Sequence, residues 1–249
     1  MMKKIILLFI ILLAGTPTYS FGKSSHNKAN KKMTPKEVLA KIDQAAKSTH
    51  SFQALFLQTE IDPVFDETYE SSGKFYFNKA VSVDESHTPL FQLRFDYKKP
   101  EQSTTIISGG SVIIYTPEMS EPQESYLIDD IKMDAFFAPF VSSERLRENY
   151  DLVVLEESSK KITVLFSPKT DVVKKHFREL RVTFSKSTWL PLSIYQLKRN
   201  GQKITFKFAK PVVNRTISKK MFTLDGLKSS ISFRPRKKTS KKSSASKRK

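Results

Sequence analysis

The sequence predicts a mainly β protein with some helix, an antiparallel meander of roughly a dozen short strands preceded by one amphipathic helix. Three observations predict it. The hydrophobic period is two over most of the chain after Ser51, turn residues separate the alternating stretches at short intervals, and a helical period is confined to two places.

The first helical stretch opens at Thr34-Pro35-Lys36-Glu37. It supplies a capping hydroxyl, a proline at the first helical position and a glutamate three residues after the cap, which together satisfy the free N–H groups that begin a helix. Val38, Leu39, Ile42, Ala45 and Ala46 follow at helical spacing, so the helix runs for about four turns with one apolar face.

Beyond Ser51 the clearest strand is Leu90 to Lys98, where Phe91, Leu93, Phe95 and Tyr97 alternate with Gln92, Arg94, Asp96 and Lys98. Gly201 to Phe208 repeats the pattern with Ile204, Phe206 and Phe208. Weaker alternation predicts strands over Phe52–Glu60, Gly73–Asn78, Thr104–Ser108, Val112–Tyr115, Ser125–Ile128, Leu152–Glu156, Ile162–Phe166, Phe177–Ser185, Leu192–Leu197 and Ile231–Phe233. Gly109-Gly110, Asn200-Gly201, Pro100, Pro168 and Pro191 punctuate them. Connections this short require antiparallel neighbours, because parallel strands need long crossovers. The second helical stretch, Asp130 to Tyr150, carries Ile131, Met133, Phe136, Phe137, Phe140 and Val141. It reads either as core or as a lid over a cavity.

The termini are of another kind. Met1 to Lys4 is basic, Ile5 to Ala14 is an apolar run, and Gly15, Pro17 and Ser20 follow, the layout of a secretory signal with cleavage expected after Ser20. The apolar run is too short to span a hydrocarbon core about 30 Å thick as a helix. Leu13-Ala14-Gly15 would begin a lipoprotein-processing signal if cysteine came next, but Thr16 stands there. Residues 21–33 read as a linker, 34–233 as the folded domain and 234–249 as a disordered basic tail. With no cysteine anywhere, the fold rests on core burial without disulfides.

The formal charge of +18 belongs to those termini. Residues 1–32 hold six Lys/Arg and residues 234–249 hold nine, with no acidic residue in either, leaving 28 basic against 25 acidic residues from Met33 to Phe233. The tail would attract anionic surfaces in a salt-dependent way. Nucleic acid is not an expected partner, because export removes the chain from it and no aromatics interleave the tail charges to stack on bases. His26, His50, His87 and His176 show no metal-binding spacing, and the chain has no Gly-x-Ser-x-Gly, no cysteine nucleophile and no phosphate-binding glycine loop. The expectation is a protein without catalytic residues, metal or cofactor.

A set of ordered motifs resembles the outer-membrane lipoprotein carrier family, the LolA type. They are Phe56-x-Gln58 after an amphipathic helix; Gly73-Lys-Phe-Tyr-Phe77; Arg94-Phe-Asp-Tyr-Lys-Lys-Pro-Glu101; Ile106-Ile-Ser-Gly-Gly110; Val112-Ile-Ile-Tyr-Thr-Pro117; and Met221-Phe-Thr-Leu224, similar to the family's last Phe-rich strand. The resemblance implies an open antiparallel barrel of about eleven strands, with the N-terminal helix and lid helices on an apolar concave side. It also implies a periplasmic shuttle that passes acylated lipoproteins from an inner-membrane release transporter to an outer-membrane receptor, a monomer touching membranes only transiently. Physical cost is consistent with such a cavity: a diacylated protein must shelter about thirty methylenes, each worth roughly 0.8 kcal/mol. Family members fasten the lid with an arginine just before a proline. No arginine occupies Lys79 to Pro89 here.

On this reading the candidate cavity or lid residues are Phe75, Phe77, Phe91, Leu93, Phe95, Tyr97, Ile114, Phe136, Phe137 and Phe184. Arg94 is the candidate for lid fastening or headgroup contact. Alternation alone leaves open which strand face is concave. A lipid or lipoprotein sensor on the same fold, or a surface-binding module using the basic tail on anionic envelope components, is the alternative.

Overall fold

The computed structural model describes residues 32–83, 89–108, 111–119, 121–126 and 143–232. In chain order the elements are α1 (Pro35–Ser48), β1 (Ser51–Asp62), β2 (Glu67–Val83), β3 (Pro89–Lys99), β4 (Ser103–Ser108), β5 (Ser111–Tyr115), β6 (Gln123–Tyr126), α2 (Ser143–Asn149), β7 (Tyr150–Glu157), β8 (Lys161–Pro168), α3 (Asp171–Lys174), β9 (Phe177–Ser185), β10 (Pro191–Lys198), β11 (Lys203–Val213), a 3-10 turn (Lys219–Phe222) and α4 (Leu224–Ser232).

The predicted capping box of α1 is formed. Thr34 N donates to the Glu37 carboxylate at 2.7 Å, and Glu37 N donates back to Thr34 Oγ1 at 3.3 Å. The helix buries Val38, Ile42, Ala45 and Ala46. Its start is tied to β7, because Met33 N donates to Glu157 Oε2 at 2.8 Å. Its middle is tied to α2, because Ser143 Oγ donates to Asp43 Oδ1 at 3.0 Å.

All eleven strands form one antiparallel sheet in the order β6-β5-β4-β3-β2-β1-β11-β10-β9-β8-β7. Strand β1 pairs with β11, joining the two halves, while β6 and β7 stand at opposite edges, so the sheet is not closed. Side chains from β4 (Ile107) through to β8 (Ile162, Val164, Phe166) join Val38, Ile42 and Ala45 of α1 in a single buried cluster. Those strands lie seven steps apart, about 34 Å along a flat sheet at 4.8 Å per strand, so the sheet curls around the helix. Register shifts between Gln53 and Leu55, Ser72 and Gly73, and Val154 and Glu156 supply bends. At the second of these Gly73 is obligatory: a Cβ there would lie 2.0 Å from the Asp96 carbonyl oxygen.

Two sequence expectations are overturned. The strand expected over Ile231–Phe233 is not formed where it is described, since Ile231 and Ser232 belong to α4, and Phe233 lies outside the described residues. The Met221 to Leu224 segment is likewise no strand, because Met221 and Phe222 sit in the 3-10 turn and Leu224 begins α4. Leu224, Leu227 and Ile231 recur at helical spacing, a period hidden when three residues are read alone. Of the expected helical stretch Asp130 to Tyr150, the part over Ser143–Asn149 is helix, Tyr150 begins β7, and 130–142 lies outside the described residues.

Candidate functional site

The face of the sheet that carries α1 is its inner, concave face, and period two places the aromatic residues on it. Phe52, Phe56, Phe75, Phe95, Phe206 and Phe208, contributed by β1, β2, β3 and β11, are all buried. Their rings form a continuous patch: Phe75 to Phe95 is 4.9 Å between centroids, Phe75 to Phe208 5.4 Å, and Phe56 to Phe95 5.6 Å. A second aromatic group continues it on β7 to β9, with Phe166 6.2 Å from Tyr150 and 6.4 Å from Phe184. Such rings supply large apolar area, in offset and edge-to-face contacts that tolerate rearrangement.

The sequence-predicted residues divide as follows. Phe75, Phe77, Leu93, Phe95 and Phe184 are buried in the inner cluster, and Phe91 and Tyr97 pack against it. Ile114 shares the inner face, since it pairs with Thr105, which pairs with Phe95, but near the β6 edge it is 41% exposed. Phe136 and Phe137 lie outside the described residues. Arg94 faces the other way. Its Nε donates to Asp96 Oδ1 at 2.8 Å and its Nη1 to the Met221 carbonyl at 2.9 Å, so it fastens the C-terminal segment to the outer face rather than a lid to the inner one. The reason is parity: Leu93 and Phe95 take the inner face, which sends Arg94 outward.

Sequence reasoning did not nominate Phe52, Phe56, Phe166, Phe206 or Phe208 for the site. The signal was present in the alternation of β1 and β11 and needed only the β1–β11 pairing to bring it together.

The inner face is not uniformly apolar. Near the rim formed by the β1–β2, β3–β4 and β10–β11 turns, Tyr97 Oη donates to Gln58 Oε1 at 2.9 Å. This bond spans β2 where Gly73, opposite both Phe56 and Tyr97, has no side chain to obstruct it. Gln58 Nε2 donates to Glu60 at 3.4 Å, Gln202 also donates to Glu60, and Lys198 Nζ donates to Gln202 Oε1 at 2.6 Å. Burial, with a smaller effect from the Glu60 charge, pushes the Tyr97 hydroxyl up to about 12. Two hollows lie off this face. One of about 240 Å³ on the outer side is lined by Tyr76, Arg94, Asp96, Thr104 and Tyr115, and a shallow one of about 610 Å³ at the rim by Lys174, Lys175, Arg178 and Arg199 with Asp171. Among the described residues no group of His, Asp or Glu is placed to hold a metal ion.

An open, helix-covered antiparallel half-barrel with an aromatic inner face defines a class of binding and carrier proteins rather than a class of enzymes. The family model described as outer membrane lipoprotein carrier protein LolA matches residues 47–225, and the chain belongs to that family.

Solved structures with a similar fold include an outer membrane lipoprotein-sorting protein domain from Vibrio parahaemolyticus, at 10% identity and TM-score 0.42, covering 77% of this chain and 97% of that one. The lipoprotein LppX of Mycobacterium tuberculosis follows at 9% identity and TM-score 0.42, covering 74% and 99%. The MucA/MucB complex of Pseudomonas aeruginosa is similar at 14% identity and TM-score 0.40, covering 75% of this chain and 59% of that one. Among curated proteins no significant relative matches this chain.

Proposed function

We propose that this protein is an exported carrier that holds the acyl chains of lipoproteins against its inner face and moves them through the periplasm from the inner to the outer membrane. The observation that carries this reading is the way the aromatic face is covered. A short amphipathic helix, α1, closes it, and the sheet itself stays open between β6 and β7. Displacing a helix that is held at its start, middle and end by polar contacts would open the Phe52–Phe75–Phe95–Phe208 surface without breaking a strand pair. A site of this composition recognises methylene chains by area alone, at roughly 25 cal/mol per Å² removed from water, and so accepts lipoproteins of differing sequence. On this reading residues 1–20 are a cleaved export signal. The monomer meets an inner-membrane release transporter and an outer-membrane receptor in turn, as family membership supports.

Native mass spectrometry of the mature protein, purified gently from an envelope fraction, tests the proposal. Acylated protein or peptide should travel with the wild type and be lost from Phe95→Asp. Because a buried charge can unfold the domain, Ile114→Asp, at an exposed inner position, should weaken the cargo while the fold is kept. A wild type that is repeatedly empty, yet bound to envelope material through residues 234–249, would transfer the reading to a surface-binding or sensory module.

A further inference from the structure

Gln196 is out of place on the inner face. It lies in β10 with Ile194 and Lys198 on the same side, cross-strand from Ile204 of β11 and Leu180 of β9. The residue is 4% exposed, and its Nε2 has no hydrogen-bond partner among the described residues. An amide donor left unpaired in an apolar surrounding costs about 1–3 kcal/mol. Native folds retain few such groups, and each calls for a reason.

The reason is suggested by the position of Gln196 in a gradient that runs along the strands. Toward the β10–β11 rim the inner face is polar, with the linked side chains of Tyr97, Gln58, Glu60, Gln202 and Lys198. Toward the opposite rim it is mainly apolar, with Phe77 paired to Leu93, and Phe184 paired to Pro191 and Ile162, and its one inward cation among these strand pairs, Lys79 opposite Phe91, is turned to the Ala46 carbonyl of α1. Gln196 stands at the boundary. An amphiphile laid along such a surface has one favourable direction, with chains on the aromatic end and its head near the polar rim. The carbonyls that join chain to head then fall at the boundary.

We propose that Gln196 Nε2 is a ligand-binding donor that hydrogen-bonds an ester carbonyl of a diacylglyceryl group, and so sets the direction in which acyl chains lie. This rests on the acyl-binding reading above and adds to it a polar specificity determinant. In the empty protein the donor is unpaired; in the complex the ligand satisfies it.

The test compares a dioctanoyl glycerol with its dioctyl ether, which has the same chains and no carbonyls, and adds a synthetic diacylated lipopeptide to separate free lipid from acylated peptide. Full-length mature protein is titrated by calorimetry, as wild type and as Gln196→Met, which keeps length and removes the donor. The wild type should prefer ester over ether by about three- to tenfold, the net worth of one hydrogen bond. Gln196→Met should bind both equally, with unchanged affinity for the ether and a higher melting temperature when empty. A preference for the lipopeptide over the glycerol ester, lost in the same variant, would assign the site to acylated peptide; equal loss on both assigns it to the diacylglyceryl group alone.

An ester-to-ether ratio near one in the wild type overturns the proposal even if the variant fails to fold, as does a ratio that survives in Gln196→Met. A wild type that binds the ether but does not discriminate overturns the role of Gln196 and leaves acyl binding standing. A wild type that binds none of the three ligands overturns both.

Discussion

The sheet has two faces, and each buries an apolar cluster in a different way. The inner cluster is large and aromatic, and α1, which packs on it, is tied at its start by Met33 N to Glu157, at its middle by Ser143 to Asp43, and at its end by Asn214 Nδ2 and Lys79 Nζ to the Ser48 and Ala46 carbonyls. The outer cluster is small, with Ile106, Ile113, Tyr115, Ile217, Phe222 and Leu227. It is sealed by the 3-10 turn and α4, and Arg94 locks that seal with bonds to Asp96 and to the Met221 carbonyl. Gly226 adds to the lock, since a Cβ there would meet the Lys220 carbonyl oxygen at 1.8 Å. Both covers are thus tied by charge-assisted bonds, each about twice as strong as a neutral one, and they differ in what lies beneath: a small cluster on the outer face, and on the inner face an extended aromatic surface whose packing a ligand of similar chemistry can replace.

The largest expected effect separates the two clusters by truncation. Phe75, fully buried among Phe52, Phe95 and Phe208, should lose about 3–5 kcal/mol on Phe75→Ala, in line with other large core aromatics. Urea denaturation should show one transition moved to lower urea. Phe222→Ala on the outer face should instead release residues 219–232 locally, raising amide hydrogen exchange there while β8 to β10 stay protected. If Phe222→Ala lowers the protection of every strand as Phe75→Ala does, the two faces form one cooperative core and the contrast drawn above fails.

A smaller effect follows from the polar rim of the inner face. Tyr97 has an ordinary value of 10.0 that burial and Glu60 raise to about 12 in the folded protein. The raised value means that the neutral hydroxyl is favoured by folding. Its contribution is fully present below pH 10 and is lost as pH rises through 12, an amount of about 2–3 kcal/mol at 1.36 kcal/mol per pH unit. Tyr97→Phe should flatten the stability curve between pH 10 and 12. A slope as steep as the wild type's would place the alkaline transition in other groups and remove the case for a dry inner rim.

Much of this contrast was legible in the sequence, and what was not has identifiable causes. Alternation gave the strands because one buried face imposes a period of two over five or more residues, as in Phe91 to Tyr97. Thr34 to Glu37 gave the helix start because capping is local chemistry. The orientation of each strand was not legible, since parity separates Arg94 from Phe95 without saying which of them is inside. Pairing of β1 with β11 joins residues about 150 positions apart, and no local pattern announces it. The outer cover was misread because Leu224 and Leu227 gain meaning only once Ile106 and Tyr115 present a second apolar surface. Gln196 lies within the expected strand Leu192–Leu197, and nothing in its local sequence marks it as buried. Only its cross-strand neighbours Ile204 and Leu180 show it to be buried.

The smallest effect is the sharpest test, because it uses two matched helix caps. Thr34 Oγ1 accepts from Glu37 N at the start of α1, and Thr223 Oγ1 accepts from Gly226 N at 3.1 Å at the start of α4. Either threonine changed to alanine should cost about 1 kcal/mol, which is roughly a fivefold change in a local opening equilibrium. The consequences should nevertheless differ. If α1 is a displaceable cover, Thr34→Ala should raise the rate at which a fluorescent acyl probe is taken up, by about that factor, and raise exchange at Val38 to Ala46. Thr223→Ala should raise exchange in α4 and leave uptake as it was. Glu157 offers an independent handle on the same cover, since Lys186 and the Met33 N–H hold its carboxyl below the ordinary range. The tie to α1 is therefore present above that ordinary value and lost as pH falls through the lowered one, so uptake should quicken in acid for Thr223→Ala and wild type alike. Equal uptake by both cap variants at neutral pH would mean that α1 does not govern entry, and the residues between β6 and α2 would then be the part of the chain to mutate next.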